Sequence, residues 1–485
     1  MNFGCYLYML LRYIPFIFSF FICFGLIGQE KLFDKALSSF LSNESIKTAH
    51  VGVVLSNPTG DTTFINHQEN KFFIPASITK LWTTAMSTQL LSSEYVFTTH
   101  VGFNGELDTL SKVLEGDLLV LTNGDPSLQS RYFESKSFLE ELKSAISKLQ
   151  LKKIEGSLII LPTKDDYHVC SHWLWSDLGN YYGAGYASST FMDNMVELYF
   201  KTDKSPHKTT QILKTHPKSS SFLMENNVIS GIKNRDMSYA FGAPLQKNRY
   251  INGKLPTNRD SYKVKVSMHS PKAFLNEAIL DLLNELNIEV QNNKVMSLSK
   301  ASMDTIFSYT SPKLSELVKC VNYESNNNFA EHLLVESAKE NGVSPSIDSA
   351  AKFMENYWST LFKDQVYFSD GSGLSRKNLI TPNAMSGLLI EILNQFDLND
   401  KIPMLNSLPS AGESGTLKYI GGNTVLEGNF IGKSGSMGGV RCYTGYFKKN
   451  NNYYPFTVMV NNFLVPDRAI RKAIENLMID IYSAL

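Results

Sequence analysis

Leu32, Phe33, Ala36, Leu37 and Phe40 recur at helical spacing, so Glu30–Ser42 is read as an amphipathic helix. The pattern then changes. His50–Leu55 is a short strand, Asn57-Pro58-Thr59-Gly60-Asp61 a turn, and Thr62–Ile65 the returning strand of a hairpin. Leu81, Ala85 and Leu90 carry a helix over Ala76–Leu91. Pro75 stands at its entrance, where the first turn has no use for the amide hydrogen that proline lacks. Further on, Glu115-Gly116-Asp117-Leu118-Leu119-Val120-Leu121 is echoed forty residues later by Glu155-Gly156-Ser157-Leu158-Ile159-Ile160-Leu161. Ser137–Leu149 lies between them with apolar and charged residues at helical spacing, so the unit reads strand, helix, strand. From about Thr202 to Asp260 the chain is rich in Lys, Ser, Asn and His with short strand-like pieces, which makes it either a nested subdomain or a mobile segment. Ala273–Leu286 is again an amphipathic helix. After Ser311 the chain turns helical, through Leu314–Val321 and Phe329–Glu340, and closes with strands Tyr443–Phe447 and Tyr454–Val460 and a helix from Asp467.

The beginning of the chain is a different material. Between Tyr6 and Ile27 the only charge is Arg12, the run Tyr13–Ile27 is apolar, and Gly25 and Gly28 precede Glu30 and Lys31. Residues 1–28 therefore read as a secretory signal, which implies an exported protein of the periplasm or cell envelope. A retained anchor is the alternative, although the apolar run falls short of the roughly 20 residues that span a bilayer. Cys23 lacks the small residues that usually precede a lipidated cysteine.

At 485 residues, 43% apolar and 19% charged, the chain folds as more than one domain. Lys plus Arg (46) balance Asp plus Glu (46), so no positive field is present to hold nucleic acid. Outside the signal the cysteines are Cys170, Cys320 and Cys442, which leaves room for one disulfide at most and no disulfide scaffold.

Three short motifs carry the candidate chemistry. Ser77-Ile78-Thr79-Lys80 puts a hydroxyl and an amine one turn apart on one helix face, and a partly desolvated lysine near another cation can take a serine proton. The spacing alone means little, because it recurs at Ser205, Ser230, Ser297 and Ser349, where a helix-capping serine beside a solvated lysine explains it. Ser325-Asn326-Asn327 precedes a helix, and Lys433-Ser434-Gly435 is followed by Ser436 and a glycine-rich turn. Taken singly, the first is explained by an Asn-rich helix cap and the second by a hairpin strand.

In this order the motifs resemble those of the penicillin-recognising serine acyltransferases. More narrowly, the chain resembles the class C low-molecular-mass penicillin-binding proteins, the D-alanyl-D-alanine carboxypeptidase/endopeptidase family. Phe73-Ile74-Pro75-Ala76 around the nucleophile, Gly124-Asp125-Pro126-Ser127-Leu128, Asp370-Gly371-Ser372-Gly373-Leu374-Ser375-Arg376 and Ala411-Gly412-Glu413-Ser414-Gly415-Thr416-Leu417 look like further family signatures. The resemblance implies an α+β fold, with a β-lactamase/transpeptidase-like domain of antiparallel sheet and flanking helices. That domain would comprise residues 29–98 and 305–485, interrupted by an inserted α/β domain over 99–304 with a nested subdomain near 202–260. It implies Ser77 as nucleophile, Lys80 as base, Ser325 as proton relay to the leaving amine, and Asn327 as a hydrogen-bond partner of Lys80 and substrate. Lys433 and Ser434 would draw the substrate carboxylate, Gly435 would let substrate backbone approach, and the amides of Ser77 and Ser436 would bind the oxyanion. Peptidoglycan stem peptides are the implied substrates and β-lactam antibiotics covalent inhibitors, with no cofactor. Ser434 stands where many relatives have Thr, and Asn326 where Asp is frequent.

Competing readings are a β-lactamase or esterase on the same fold and a catalytically silent envelope scaffold. His168, Cys170 and His172 would share one face of a strand, a metal-like signal without a fourth ligand nearby that an ordinary strand edge explains. Trp173, Trp175, Tyr181 and Tyr182 suit core or interdomain packing better than a sugar site. His-Glu-x-x-His and Gly-x-Ser-x-Gly are absent from the sequence.

Overall fold

Val51, Val53 and Leu55 alternate with Gly52, Val54 and Ser56 along the strand His50–Ser56, yet every one of these positions is buried. A strand covered on both faces loses the in–out polarity alternation, and this strand lies inside a sheet with helices on each side. The computed structural model describes residues 29–291 and 303–485, so the signal reading of residues 1–28 and the Ser297 motif lie outside the described residues. The sheet is antiparallel throughout, in the order Phe430–Met437, Val440–Lys449, Asn452–Asn461, His50–Ser56, Thr63–His67. On one face the helix over residues 29–41 and the helix Asp467–Ala484 pack Phe33, Phe40, Ile470, Ile474 and Ile481 against Val51, Val53, Leu55, Phe456 and Val458. Pro382–Asn394 covers the other face. A Cβ on Gly52 would lie 2.6 Å from Pro382, and the Tyr446 hydroxyl donates to Leu389 O at 2.9 Å.

These elements form one of two compact units, made of the chain up to Ile78 with Leu379–Phe396 and Leu408–Leu485. The second comprises Thr79–Asn378 and Asp397–Ser407. Four of its helices, Thr79–Leu91, Leu314–Glu324, Asn327–Lys339 and Ile347–Ser359, pack together. The buried Trp82 ring meets Trp358 and Phe362 edge-on, with centroids 5.3 and 5.1 Å away.

The remainder of the second unit begins with a sheet in the order Asp304–Thr310, Thr98–Phe103, Leu118–Leu121, Leu158–Leu161. Leu118–Leu121 pairs in parallel with Leu158–Leu161, residue for residue at the forty-residue offset of the sequence echo. Phe138–Leu149, capped by Ser137, is the helix between these two strands. The polar stretch after Thr202 is ordered. Gln211–His216, Met195–Lys201 and Tyr262–Ser267 form one three-stranded sheet, and Leu223–Gly231, Asn248–Pro256 and Met237–Phe241 another. Their inward residues, among them Leu198, Phe200, Val228 and Ile251, join the same apolar cluster as the strand–helix–strand unit.

One expectation is corrected. His168–His172 is not a strand: His168 makes a single bridge with Tyr186, and Ser171–His172 is a turn. Tyr167 to Cys170 is bound instead to its surroundings, with the His168 Nδ1 2.6 Å from Asp166 O and Cys170 Sγ donating to Ser369 O at 3.1 Å. Cys170, Cys320 and Cys442 are free and buried. Replacing Trp82 by Ala should destabilise the protein by about 3–5 kcal/mol, the usual cost of emptying a large aromatic site; urea unfolding followed by fluorescence and circular dichroism measures it.

Candidate active site

In the first unit the Ser77 segment is held by its neighbours on the sheet. Ile74 N donates to Asn461 Oδ1 at 2.7 Å, and Asn461 Nδ2 donates back to Ile74 O at 3.1 Å. Ala76 then takes φ +49°, a left-handed conformation that a non-glycine residue rarely adopts, and opens a short 3₁₀ turn, Ala76–Ile78, that carries Ser77. Ser77 is partly exposed, whereas Ala76 and Ile78 are buried. The turn rests on the Lys433-Ser434-Gly435 strand. A Cβ on Gly435 would come within 2.5 Å of Pro75 O and 3.2 Å of the Ser77 and Ile78 amide nitrogens, so the packing of this turn requires glycine here. Lys433, two residues away, points to the same face of the strand and is fully buried.

Phe430–Met437 is the edge strand of its sheet, and its register with Val440–Lys449 is unbroken. The Gly432 N–H points outward, to Pro409 O at 3.0 Å. By the two-residue period, the N–H groups of Ser434 and Ser436 point to that same outer edge. Ser434 is half-buried and Ser436 exposed. The Ala411–Leu417 signature braces the start of this strand through Ala411 N to Phe430 O at 2.8 Å.

In the second unit Lys80 sits in the first turn of Thr79–Leu91 with no exposed surface. Its Nζ donates to Asn327 Oδ1 and to Ser372 O, each at 2.6 Å. Burial pushes its pKa down to about 7, against the opposing pull of Asp370 and then Glu331. Asn327 opens the helix Asn327–Lys339, and its Nδ2 donates to Tyr182 O at 2.8 Å. Asn326 is the N-cap, accepting from Phe329 N at 3.1 Å, which accounts for an amide side chain at that position. Ser325, at φ +58°, is the left-handed residue that ends Leu314–Glu324.

The motifs thus bring Lys80 and Asn327 into direct contact in one unit, and Ser77 against Gly435 in the other. Behind Lys80 stand Glu331, which motif reading missed, and Asp370 of the quoted signature, to which it gave no role. Glu331, one helical turn after Asn327, accepts from Gly371 N at 3.0 Å and Ser372 N at 2.8 Å, which orients the Ser372 carbonyl toward the amine. Burial, reinforced by Asp370, raises the Glu331 pKa. Asp370 accepts from Trp173 Nε1 at 2.7 Å, Gly373 N at 2.8 Å, Ser375 N at 2.6 Å and Asn378 Nδ2 at 2.6 Å. Trp173 is therefore a buried brace of this loop, and Asp370-Gly-Ser-Gly is the support of Lys80. The i, i+4 spacing from Asn327 was the available signal for Glu331. Of the metal-like triplet, His168 Nε2 accepts from Ile347 N at 3.2 Å and His172 Nε2 lies 3.3 Å from Lys377 Nζ, so the two rings serve different neighbours.

The family model for the D-Ala-D-Ala carboxypeptidase 3 (S13) family matches residues 33–484. The chain is 25% identical over 445 residues to the D-alanyl-D-alanine carboxypeptidase DacB of Haemophilus influenzae, covering 88% of this chain and 89% of that one. It is 26% identical over 444 residues to the penicillin-sensitive carboxypeptidase A of Dictyostelium discoideum, covering 86% and 83%. The crystal structure of penicillin binding protein 4 from Haemophilus influenzae superposes with a TM-score of 0.75 at 21% identity, over 92% of this chain and 98% of that one, and so shares its fold. The expected α+β, transpeptidase-like architecture is thereby found.

Glu331→Gln removes a carboxyl that, to the extent that it is ionised, holds the Lys80 pKa up against burial, so that pKa should fall. Nitrogen-detected NMR titration of the lysine side chains reads the shift; an unchanged value would mean that Glu331 is protonated at neutral pH.

Proposed function

Because the chain belongs to the D-Ala-D-Ala carboxypeptidase 3 (S13) family over residues 33–484, it is a serine-type D-Ala-D-Ala carboxypeptidase, and we propose that Ser77 is its nucleophile and Lys80 its base. The observation that carries this assignment is the buried Lys80 amine, bonded to Asn327 and depressed to about 7, where a large fraction is neutral at physiological pH. Ser77 Oγ attacks the carbonyl carbon of the penultimate D-alanine while its proton passes to Lys80. The oxyanion is met by the Ser77 N–H and by the Ser436 N–H, which lies along the outer edge of its strand. As the tetrahedral intermediate collapses, the C–N bond breaks, and Ser325 hands its hydroxyl proton to the departing amine while taking up the one that Lys80 had accepted, which leaves Lys80 neutral again. Water then attacks the acyl-enzyme, giving up its proton to the same base, and returns Ser77. Lys433 and Ser434 draw the terminal carboxylate of the substrate, and Asn327 orients its amide.

The substrates are the D-Ala-D-Ala ends of peptidoglycan stem peptides and, in an endopeptidase mode, their D-Ala cross-links. β-Lactams acylate Ser77 by ring opening and leave slowly; the penicillin sensitivity named for the Dictyostelium relative supports this. Export through the segment around Arg12 places the enzyme where the polymer is, and residues 99–304 are the insertion that distinguishes it from a β-lactamase.

Fluorescent penicillin should label the wild type and not Ser77→Ala, and release of D-alanine from a pentapeptide should fall by about 10³-fold or more in that variant. Rapid sustained turnover of nitrocefin would instead make the protein a β-lactamase, and absence of labelling a scaffold. Below pH ~7 the acylation rate should fall about tenfold per pH unit as Lys80 takes up its proton, because the protonated amine cannot accept the Ser77 proton. Stopped-flow acylation between pH 5 and 9 checks the slope.

A further inference from the structure

A pocket of about 280 Å³ opens beside Asn327 in the second unit, with Ser325 and Asn327 on one wall and Arg131, Tyr181, Asp193 and Lys265 on the others. A second hollow of about 380 Å³ continues from it: Tyr181, Tyr182 and Lys265 line both, and Tyr239 stands at the far end. Sites for whole small-molecule ligands occupy roughly 300–1,000 Å³. The pair of hollows therefore holds far more than the single D-alanine that a carboxypeptidase releases.

The wall is built at a conformational cost. Met192, Asp193 and Asn194 have φ of +49°, +57° and +54°, three successive left-handed residues without a glycine, a conformation that side chains rarely adopt. The Asn194 side chain fixes the turn, accepting from Thr190 Oγ1 at 2.7 Å and Phe191 N at 3.0 Å and donating to Gly185 O at 3.1 Å. The turn delivers the buried Asp193 carboxylate to Ser130 Oγ and, at 3.6 Å, to Arg131 Nε, which holds the guanidinium at the pocket. Lys265 is different. Among the described residues no carboxylate lies within ion-pair distance of its Nζ, which stands 5.8 Å from the Tyr181 ring centroid. Burial and the charges of Arg131 and Lys263 lower its pKa, opposed by Glu197 and Asp193. A cation crowded by like charge and half out of water is a site for an added anion.

We propose that this groove binds the leaving strand of a cross-linked stem-peptide dimer, with a carboxylate of that strand on Lys265 and Arg131 and its backbone across Tyr181 and Tyr239. Both tyrosines are about half exposed, at 45% and 52%. The inference rests on the mechanism above: Ser325, which returns the proton to the departing amine, forms the rim, so whatever leaves passes into this groove.

The purified full chain is given a cross-linked muropeptide dimer and, separately, a monomeric pentapeptide, with monomer formation and free D-alanine as the readouts. Lys265→Ala and Lys265→Glu should lower the dimer-to-pentapeptide ratio of kcat/KM by about tenfold or more, mainly through KM, and Lys265→Arg should restore it. A ratio within about twofold of wild type in Lys265→Glu, or an Arg variant as impaired as Ala, overturns the subsite. Fluorescent penicillin labelling of each variant reports that fold and nucleophile are intact. A wild type that neither labels nor releases D-alanine overturns the underlying mechanism instead.

Discussion

An amine taken wholly out of water must find acceptors, and those of the Lys80 Nζ include Asn327 Oδ1 and Ser372 O. Much of the second unit can be understood as what that requirement demands. Asn327 has to begin a helix at a fixed place, so Asn326 caps it and Ser325 adopts a left-handed turn to end the helix before. The Ser372 carbonyl has to face the amine, so Glu331 takes the Gly371 and Ser372 amide hydrogens, and Asp370 gathers three donors from the rest of its loop and a fourth from Trp173. Two buried carboxylates near a lysine would ordinarily keep it charged; here burial outweighs them and leaves the amine near the neutral range.

The first unit solves a different problem, that of bringing a serine hydroxyl close to a strand edge. A side chain on Gly435 would push the Pro75–Ile78 turn away, and Ala76 accepts an unfavourable φ to make the turn. Substrate recognition by an edge strand also needs that edge left to another chain, and Ala411–Leu417 occupies only its beginning. Left-handed non-glycine residues stand at Ala76, at Ser325 and at Met192–Asn194, beside the proposed nucleophile, the proposed proton relay and the groove.

The three motifs were legible because each is a contiguous triplet or quartet whose residues act through their side chains. Glu331 was not, because it acts on Lys80 through a backbone carbonyl 41 residues away in the chain. The repeated Glu-Gly-x-Leu segments were legible as a pair of strands, since a parallel pair buried over most of its length keeps an unbroken apolar run. The two sheets between Met195 and Ser267 were nearly silent: Leu223–Gly231 is largely exposed along its first half and rich in Asn, so little hydrophobic alternation marks it. The helices Ile347–Ser359, Pro382–Asn394 and Leu398–Asn406 fell inside a stretch read only as helical, and the His168–His172 strand failed because its alternation reflects separate contacts to Asp166, Ser369 and Ile347 rather than a ladder.

Cys170, Cys320 and Cys442 are free, and burial raises the pKa of each thiol, that of Cys442 to about 12. Held as shielded thiols rather than thiolates, they are poor nucleophiles toward maleimides and iodoacetamides. A cysteine introduced at an exposed position would therefore outcompete them, and dyes or spin labels can be attached to the folded enzyme with these three thiols left in place.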